Sequence, residues 1–196
     1  MVKRLAHVFD AKKMAKLDDP RRKDLIPVDK ILQTLGLQEG ERVLDLGCGI
    51  GFLTLPAARV VGAAGFVYGL DIQEDMLVEA LSRSRKEGLS NIAWVLTPPD
   101  KVSLPAASVD YVTMGLVAHE APDLGVMLKE CHRVLKPGGR VGIIEWNDTF
   151  TEMGPPPEHR LKQDVLISKL KEHDFSKMSL TDLSQGTYMV VGKKGE

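Results

Sequence analysis

Residues 43–51 read Val43-Leu44-Asp45-Leu46-Gly47-Cys48-Gly49-Ile50-Gly51. A short apolar run carries an acid, Asp45, and glycines then fall at alternate positions 47, 49 and 51. Glycine lets a backbone turn sharply and approach a ligand that a side chain would block. A second apolar run, Phe66–Leu70, closes on Asp71, twenty residues after Gly51. An acid at the tip of the next strand, about 20 residues past a glycine loop, is placed to bind a ribose diol. The pair implies a nucleoside-bearing cofactor held beyond the ends of parallel strands.

Outward from this stretch, strand-like runs recur at Arg42–Leu46, Phe66–Leu70, Ile92–Leu96, Val109–Met114 and Arg140–Trp146. They are continuously apolar rather than alternating, as strands buried on both faces of a parallel sheet are. Helical patterns lie between them. Ile31, Leu32 and Leu35 form a face that stops at Gly36. Met76, Leu77, Ala80 and Leu81 form a second. Leu124, Met127, Leu128, Cys131 and Leu135 form a third, stopped by Pro137-Gly138-Gly139. A helix over 158–172, with Leu161, Val165 and Leu170 inward, and a hairpin of strands 177–183 and 187–193 complete the chain. The expectation is an α/β fold: a doubly wound, mostly parallel seven-stranded sheet with helices on both faces and an antiparallel C-terminal hairpin strand. Residues 27–196 are expected to form this domain, and residues 1–26 read as an extension packing over the C-terminal edge of the sheet, a candidate lid over the cleft, with a disordered tail as the alternative.

Bulk properties set limits. The chain has 196 residues, 43% of them hydrophobic and 27% charged, with a net charge of −1. That suits one soluble domain with a sizeable core and offers no basic field for nucleic acid. No apolar run approaches the length of a membrane span, and the N-terminus lacks a signal-peptide core, so the expected compartment is the cytoplasm. Two cysteines, Cys48 and Cys131, build no disulfide framework, and no ligand spacing points to a metal. An exposed edge strand offers one route to a homodimer.

The glycine spacing narrows the cofactor. The dinucleotide fingerprint is Gly-x-Gly-x-x-Gly with a pyrophosphate at the helix N-terminus. Here the spacing is Gly-x-Gly-x-Gly, and Asp45 would repel a pyrophosphate. An acid there suits a cationic ligand part, an α-ammonium or a sulfonium. Val43–Gly51, Asp71, Val109–Met114 and Arg133–Trp146 together resemble the successive motifs of class I S-adenosyl-L-methionine-dependent methyltransferases. The segment Arg133-Val134-Leu135-Lys136-Pro137-Gly138-Gly139-Arg140 is similar to the branch that includes ubiquinone/menaquinone biosynthesis enzymes.

This resemblance implies roles. Asp45, Gly47, Cys48, Gly49 and Gly51 hold the methionine part of S-adenosyl-L-methionine. Asp71 takes the ribose, Ile72 and Met76 contact adenine, and Met114 lies beneath the cofactor. The family's acidic pair after the third strand falls at Pro98-Pro99, with Asp100 next. Either Asp100 reads the adenine amino group or only the backbone around Pro99 does.

On the acceptor side, His119-Glu120 follows the fourth strand near the methyl-donating face. Histidine is the side chain suited to take a proton near pH 7, so His119 and Glu120 are the candidate catalytic pair. The alternative is a polar helix start with Glu120 favoured by the helix dipole. Trp146 and Asn147-Asp148 lie past the fifth strand, where Trp146 walls an acceptor pocket or serves the core. His7 and Phe9 reach the cleft if the extension is a lid. The acceptor is expected to be a small molecule. A nicotinamide oxidoreductase and a non-catalytic cofactor binder are the rival readings.

Overall fold

The computed structural model describes Phe9 and residues 11–149 and 152–195. Its seven strands are β1 (Arg42–Leu46), β2 (Phe66–Asp71), β3 (Ile92–Leu96), β4 (Val109–Gly115), β5 (Leu135–Trp146), β6 (Phe175–Asp182) and β7 (Thr187–Lys194). Six α-helices accompany them: α1 (Arg22–Leu25), α2 (Val28–Leu35), α3 (Thr54–Val61), α4 (Glu74–Lys86), α5 (Leu124–Val134) and α6 (Gln163–Glu172). A 3₁₀ helix, Ala11–Asp18, precedes α1, and another, Ala118–Glu120, follows β4.

The strands form one sheet in the order β3-β2-β1-β4-β5-β7-β6. The first five run parallel, and β7 is antiparallel to both β5 and β6. Adjacent residues on a strand enter opposite cores. Leu44, Val112 and Ile143 join one cluster with Leu128 and Leu166, while Val43, Tyr111 and Ile144 join the other with Ile31 and Leu35. Two buried faces are why these runs read as unbroken apolar stretches. Order reverses between β1 and β4, so the loops after these two strands flank the crevice where open α/β sheets hold ligands. No helix among the described residues is long and apolar enough to cross a membrane.

Three local expectations need correction. The third helical face stops one residue short of Leu135: α5 ends at Val134, and β5 begins at Leu135, opposite Val109. Pro137 disfavours helix at the residue before it, and the register shifts between Val109 and Tyr111 to absorb Lys136–Gly139. The last helix starts at Gln163, not 158: Pro157–His159 form a separate 3₁₀ turn, and Arg160 and Lys162 are extended before α6 begins. That shift puts Leu166 and Leu170 inside and leaves Val165 43% exposed. In the hairpin, the apolar run Thr187–Val191 is buried and takes the inner place, leaving the polar β6 at the edge.

Candidate active site

The glycine loop leaves β1 at Leu46 and is tied to β2 at once. The amides of Gly47 and Cys48 donate to the Leu70 carbonyl at 2.8 and 3.0 Å. Gly47, Gly49 and Gly51 have φ of +74°, +51° and +87°, the left-handed region. A Cβ at Gly47 would also lie 2.5 Å from Val117 Cγ2, so the loop after β4 is packed against bare backbone. Cys48 is buried, and burial, with the charges of Asp45 and Asp71, pushes its thiol well up. It is a neutral filler, and the loop's backbone is what remains for a ligand.

The two acids differ. Asp45 is 2% exposed and accepts Thr54 Oγ1 at 2.5 Å and Thr113 Oγ1 at 3.0 Å. It therefore fastens the first turn of α3 and the middle of β4 to β1, beneath the loop rather than on its surface. Burial raises its pKa to about 6; the two threonine hydroxyls pull it down, and Asp71 pushes it up. Asp71 accepts the Gly49 amide at 2.8 Å on Oδ2 and the Gln73 amide at 3.0 Å on Oδ1. Each of its oxygens keeps a lone pair for a ribose hydroxyl. Burial raises its pKa too, against the pull of the Gly49, Gln73 and Ile72 amides.

Around Asp71 the expected adenine contacts divide. Ile72 presents an apolar side chain that is 40% exposed beside the acid. Met76 and Met114 are 2% and 0% exposed and belong to the interior. Pro99 and Asp100 lie in an exposed turn after β3. Asp100 lines a separate depression of about 650 Å³ with Lys101, Glu130 and Arg133. The structure thus brings Asp71, Ile72 and the glycine loop together, and Asp100 stands in the exposed turn three residues past Thr97, whose amide donates to the Asp71 carbonyl at 3.0 Å.

The loop after β4 carries the second half of the site. Leu116 adopts φ +61°, uncommon for a residue with a side chain, and its amide donates to Ile144. This turns the chain so that His119 faces Glu145 on β5. His119 Nδ1 is 2.8 Å from Glu145 Oε2 and 3.0 Å from Oε1, and its amide also donates to Oε1 at 3.0 Å. Glu145 has no exposed surface. A carboxylate only accepts, so Nδ1 carries the proton and Nε2 is the basic atom. Burial lowers the His119 pKa. The hydrogen bond and charge of Glu145, with the charge of Glu120, outweigh that and hold it above the ordinary imidazole value; Arg160 opposes them.

Glu145 is the residue that sequence reasoning missed. Its signal was present: a lone acid inside the apolar run Val141–Trp146. Glu120, the acid expected beside His119, is 3.8 Å from Nε2 and accepts the Phe9 amide at 3.2 Å. Trp146 is 5% exposed and sits in the core, with the Arg160 guanidinium 5.8 Å from its ring. Asn147 turns away to the β6–β7 turn, donating to Gln185 at 2.7 Å.

The N-terminal segment crosses these loops. The Phe9 carbonyl accepts Gln73 Nε2 at 2.8 Å, after β2, while its amide reaches Glu120, after β4. Leu17 Cδ1 lies 3.9 Å from the Cβ position of Gly49. Asp18 pairs with Arg83 on α4 through two 2.7 Å bonds. His7 lies outside the described residues.

Strand order, the left-handed glycine loop and the acid ending β2 define the class I methyltransferase fold, and the donor set fits S-adenosyl-L-methionine. The profile of the ubiE/COQ5 methyltransferase family matches residues 22–154, and the chain belongs to that family. It is 36% identical over 117 residues to a demethylmenaquinone methyltransferase of Geobacillus kaustophilus, covering 60% of this chain and 50% of that protein. The chain spans about half the length of the curated relatives it matches. A crystal structure of a SAM-dependent methyltransferase from Aquifex aeolicus is 33% identical, with a TM-score of 0.90, covering 95% of this chain and 99% of that one. The 4+2 cyclase SpnF shares the fold at 18% identity and TM-score 0.75, over 86% of this chain and 80% of its own. A cyclase on this frame shows that the reaction must be argued from the site.

Proposed function

We propose that this chain transfers a methyl group from S-adenosyl-L-methionine to a small molecule whose reacting group must lose a proton. The observation that carries this is the His119–Glu145 pair, held on the same loop after β4 whose Val117 packs against Gly47 of the glycine loop. When bound, the cofactor supplies an electrophilic methyl group on a sulfonium. Asp71 accepts the ribose hydroxyls, and the bare backbone of Gly47–Gly51 admits the methionine half. Asp45 contributes negative potential from beneath. His119 takes the acceptor's proton at Nε2, and Glu145 holds the ring and stabilises the imidazolium. Aligning donor and acceptor contributes roughly 7–11 kcal/mol in such displacements.

The acceptor class follows from the base: a small molecule with an acidic hydroxyl or a comparable proton. Demethylmenaquinone, named in the relatives, heads the screen. The segment from Phe9 to Asp18 acts as a lid over the cofactor.

The test uses labelled methyl groups and S-adenosylhomocysteine binding. His119→Ala should lower turnover 10²- to 10⁴-fold, the usual worth of a general base, while leaving ligand affinity intact. Asp71→Ala should abolish measurable binding. Equal loss of binding in both variants would overturn these roles.

A further inference from the structure

Arg22, the first residue of α1, is out of balance. Its Nε is buried and has no hydrogen-bond partner, the one buried side-chain nitrogen or oxygen so placed among the described residues. Its guanidinium lies 5.2 Å from the ring of Phe52, the residue directly after Gly51. Two acids act on it through charge, Asp18 and Asp19. Both are taken by other cations: Asp18 by Arg83 at 2.7 Å on each oxygen, and Asp19 by Arg21 at 2.7 Å. Five residues upstream, Leu17 lies against Gly49. The segment that carries Arg22 thus lies along the second half of the glycine loop, from Gly49 to Phe52.

A buried donor left unmade costs stability, more so on a charged group. A surplus cation beside a loop suits an anion that arrives with a ligand. The methionine half of S-adenosyl-L-methionine carries one anionic group, its α-carboxylate. A guanidinium is the side chain whose donors match a carboxylate in a fork.

We infer that Arg22 is the receptor for the α-carboxylate of the cofactor. The inference rests on the glycine loop's reading as the methionine subsite and adds the charge that recognises its acid end. It also explains the stacking on Phe52: an aromatic face holds a guanidinium in place without consuming its donors.

The test is a cycle of two proteins and two ligands, S-adenosylhomocysteine and its carboxyl methyl ester, by calorimetry. The native chain should prefer the free acid roughly 10- to 100-fold, the worth of a hydrogen bond between charged groups. Arg22→Met keeps the apolar contact with Phe52 and should bind both ligands alike. Arg22→Lys should recover part of the preference. Unfolding of the ligand-free Arg22→Met chain should come no earlier than in the native chain, because an unpaired buried donor has been removed. Retention of the native preference in Arg22→Met would overturn the assignment. So would equal loss of both ligands together with a lowered melting temperature, the mark of a packing role. A native chain that binds neither ligand would overturn the cofactor reading, and this assignment with it.

Discussion

A carboxyl buried as deeply as that of Asp45 makes the protein sensitive to pH in a definite direction. Its pKa rises from 3.8 to about 6 on folding, so the native state holds the proton more tightly than the unfolded chain. Ionisation then costs about 3 kcal/mol, taking about two units at 1.36 kcal/mol each. That cost is absent below pH 4, grows through the window and is complete above about 6. A cationic ligand reverses the preference, because it favours the ionised acid. S-adenosyl-L-methionine affinity should therefore fall as pH drops below about 6, with Asp71, also raised, reinforcing the trend. Asp45→Asn should flatten Asp45's part of this dependence and leave the melting temperature at pH 8 no lower than native. Calorimetry between pH 5 and 8 checks it; an unchanged pH dependence in Asp45→Asn would remove Asp45 from the account.

The same scale shows what the sequence can and cannot display. Asp71 and the glycines are legible because their function depends on spacing along one chain segment. The His119–Glu145 pair depends on β5 lying beside β4, and the two residues are 26 positions apart. Only the strand register makes them neighbours. Glu145→Gln should lower the His119 pKa, because the charge that outweighs burial is gone. The acid limb of the rate profile, expected in the native chain above the ordinary imidazole range, should move to lower pH, and the plateau rate should drop by one to two orders of magnitude. A Glu145→Gln profile with an unmoved limb would separate Glu145 from the base.

At the scale of elements, the two loops meet where the Val117 side chain packs against bare backbone at Gly47. Gly47 and Gly88 both have left-handed φ, +74° and +69°. An added methyl at Gly47 meets Val117, whereas at Gly88 it meets nothing within 4 Å. Gly88→Ala should thus cost only the backbone strain, about 1–2 kcal/mol. Gly47→Ala should cost a further 1–3 kcal/mol or so for overpacking and shift the loop that carries His119. Denaturant melts of the two variants give the difference directly; equal destabilisation would mean that Val117 yields freely. The element-scale errors have a similar origin. Val165 and Leu166 are equally apolar, and only the packing of α6 against β6 and β7 decides which one faces inward.

Across the whole molecule, the described part of the N-terminal segment adds little stability of its own, and its proposed role as a lid is open to a direct test. Residues 12–18 bury little: Leu17 is half-buried and most neighbours are exposed. The Asp18–Arg83 pair, with side chains 53% and 27% exposed, belongs to the class of surface ion pairs worth about 0–1 kcal/mol. Deleting residues 1–18 should therefore lower the melting temperature of the ligand-free chain by no more than a few degrees. The same segment touches the loops of the candidate site: Phe9 bonds to the loops after β2 and β4, and Leu17 lies against Gly49. Opening it over a bound ligand gives up about one apolar contact and two hydrogen bonds, roughly 1–2 kcal/mol in all. Release of S-adenosylhomocysteine from the shortened chain should accordingly be about tenfold faster, with the association rate unchanged or higher. Stopped-flow release of a labelled ligand measures this. Equal release rates in the two chains would show that the segment rests on the site without closing it, and a large loss of ligand-free stability would make it part of the core instead.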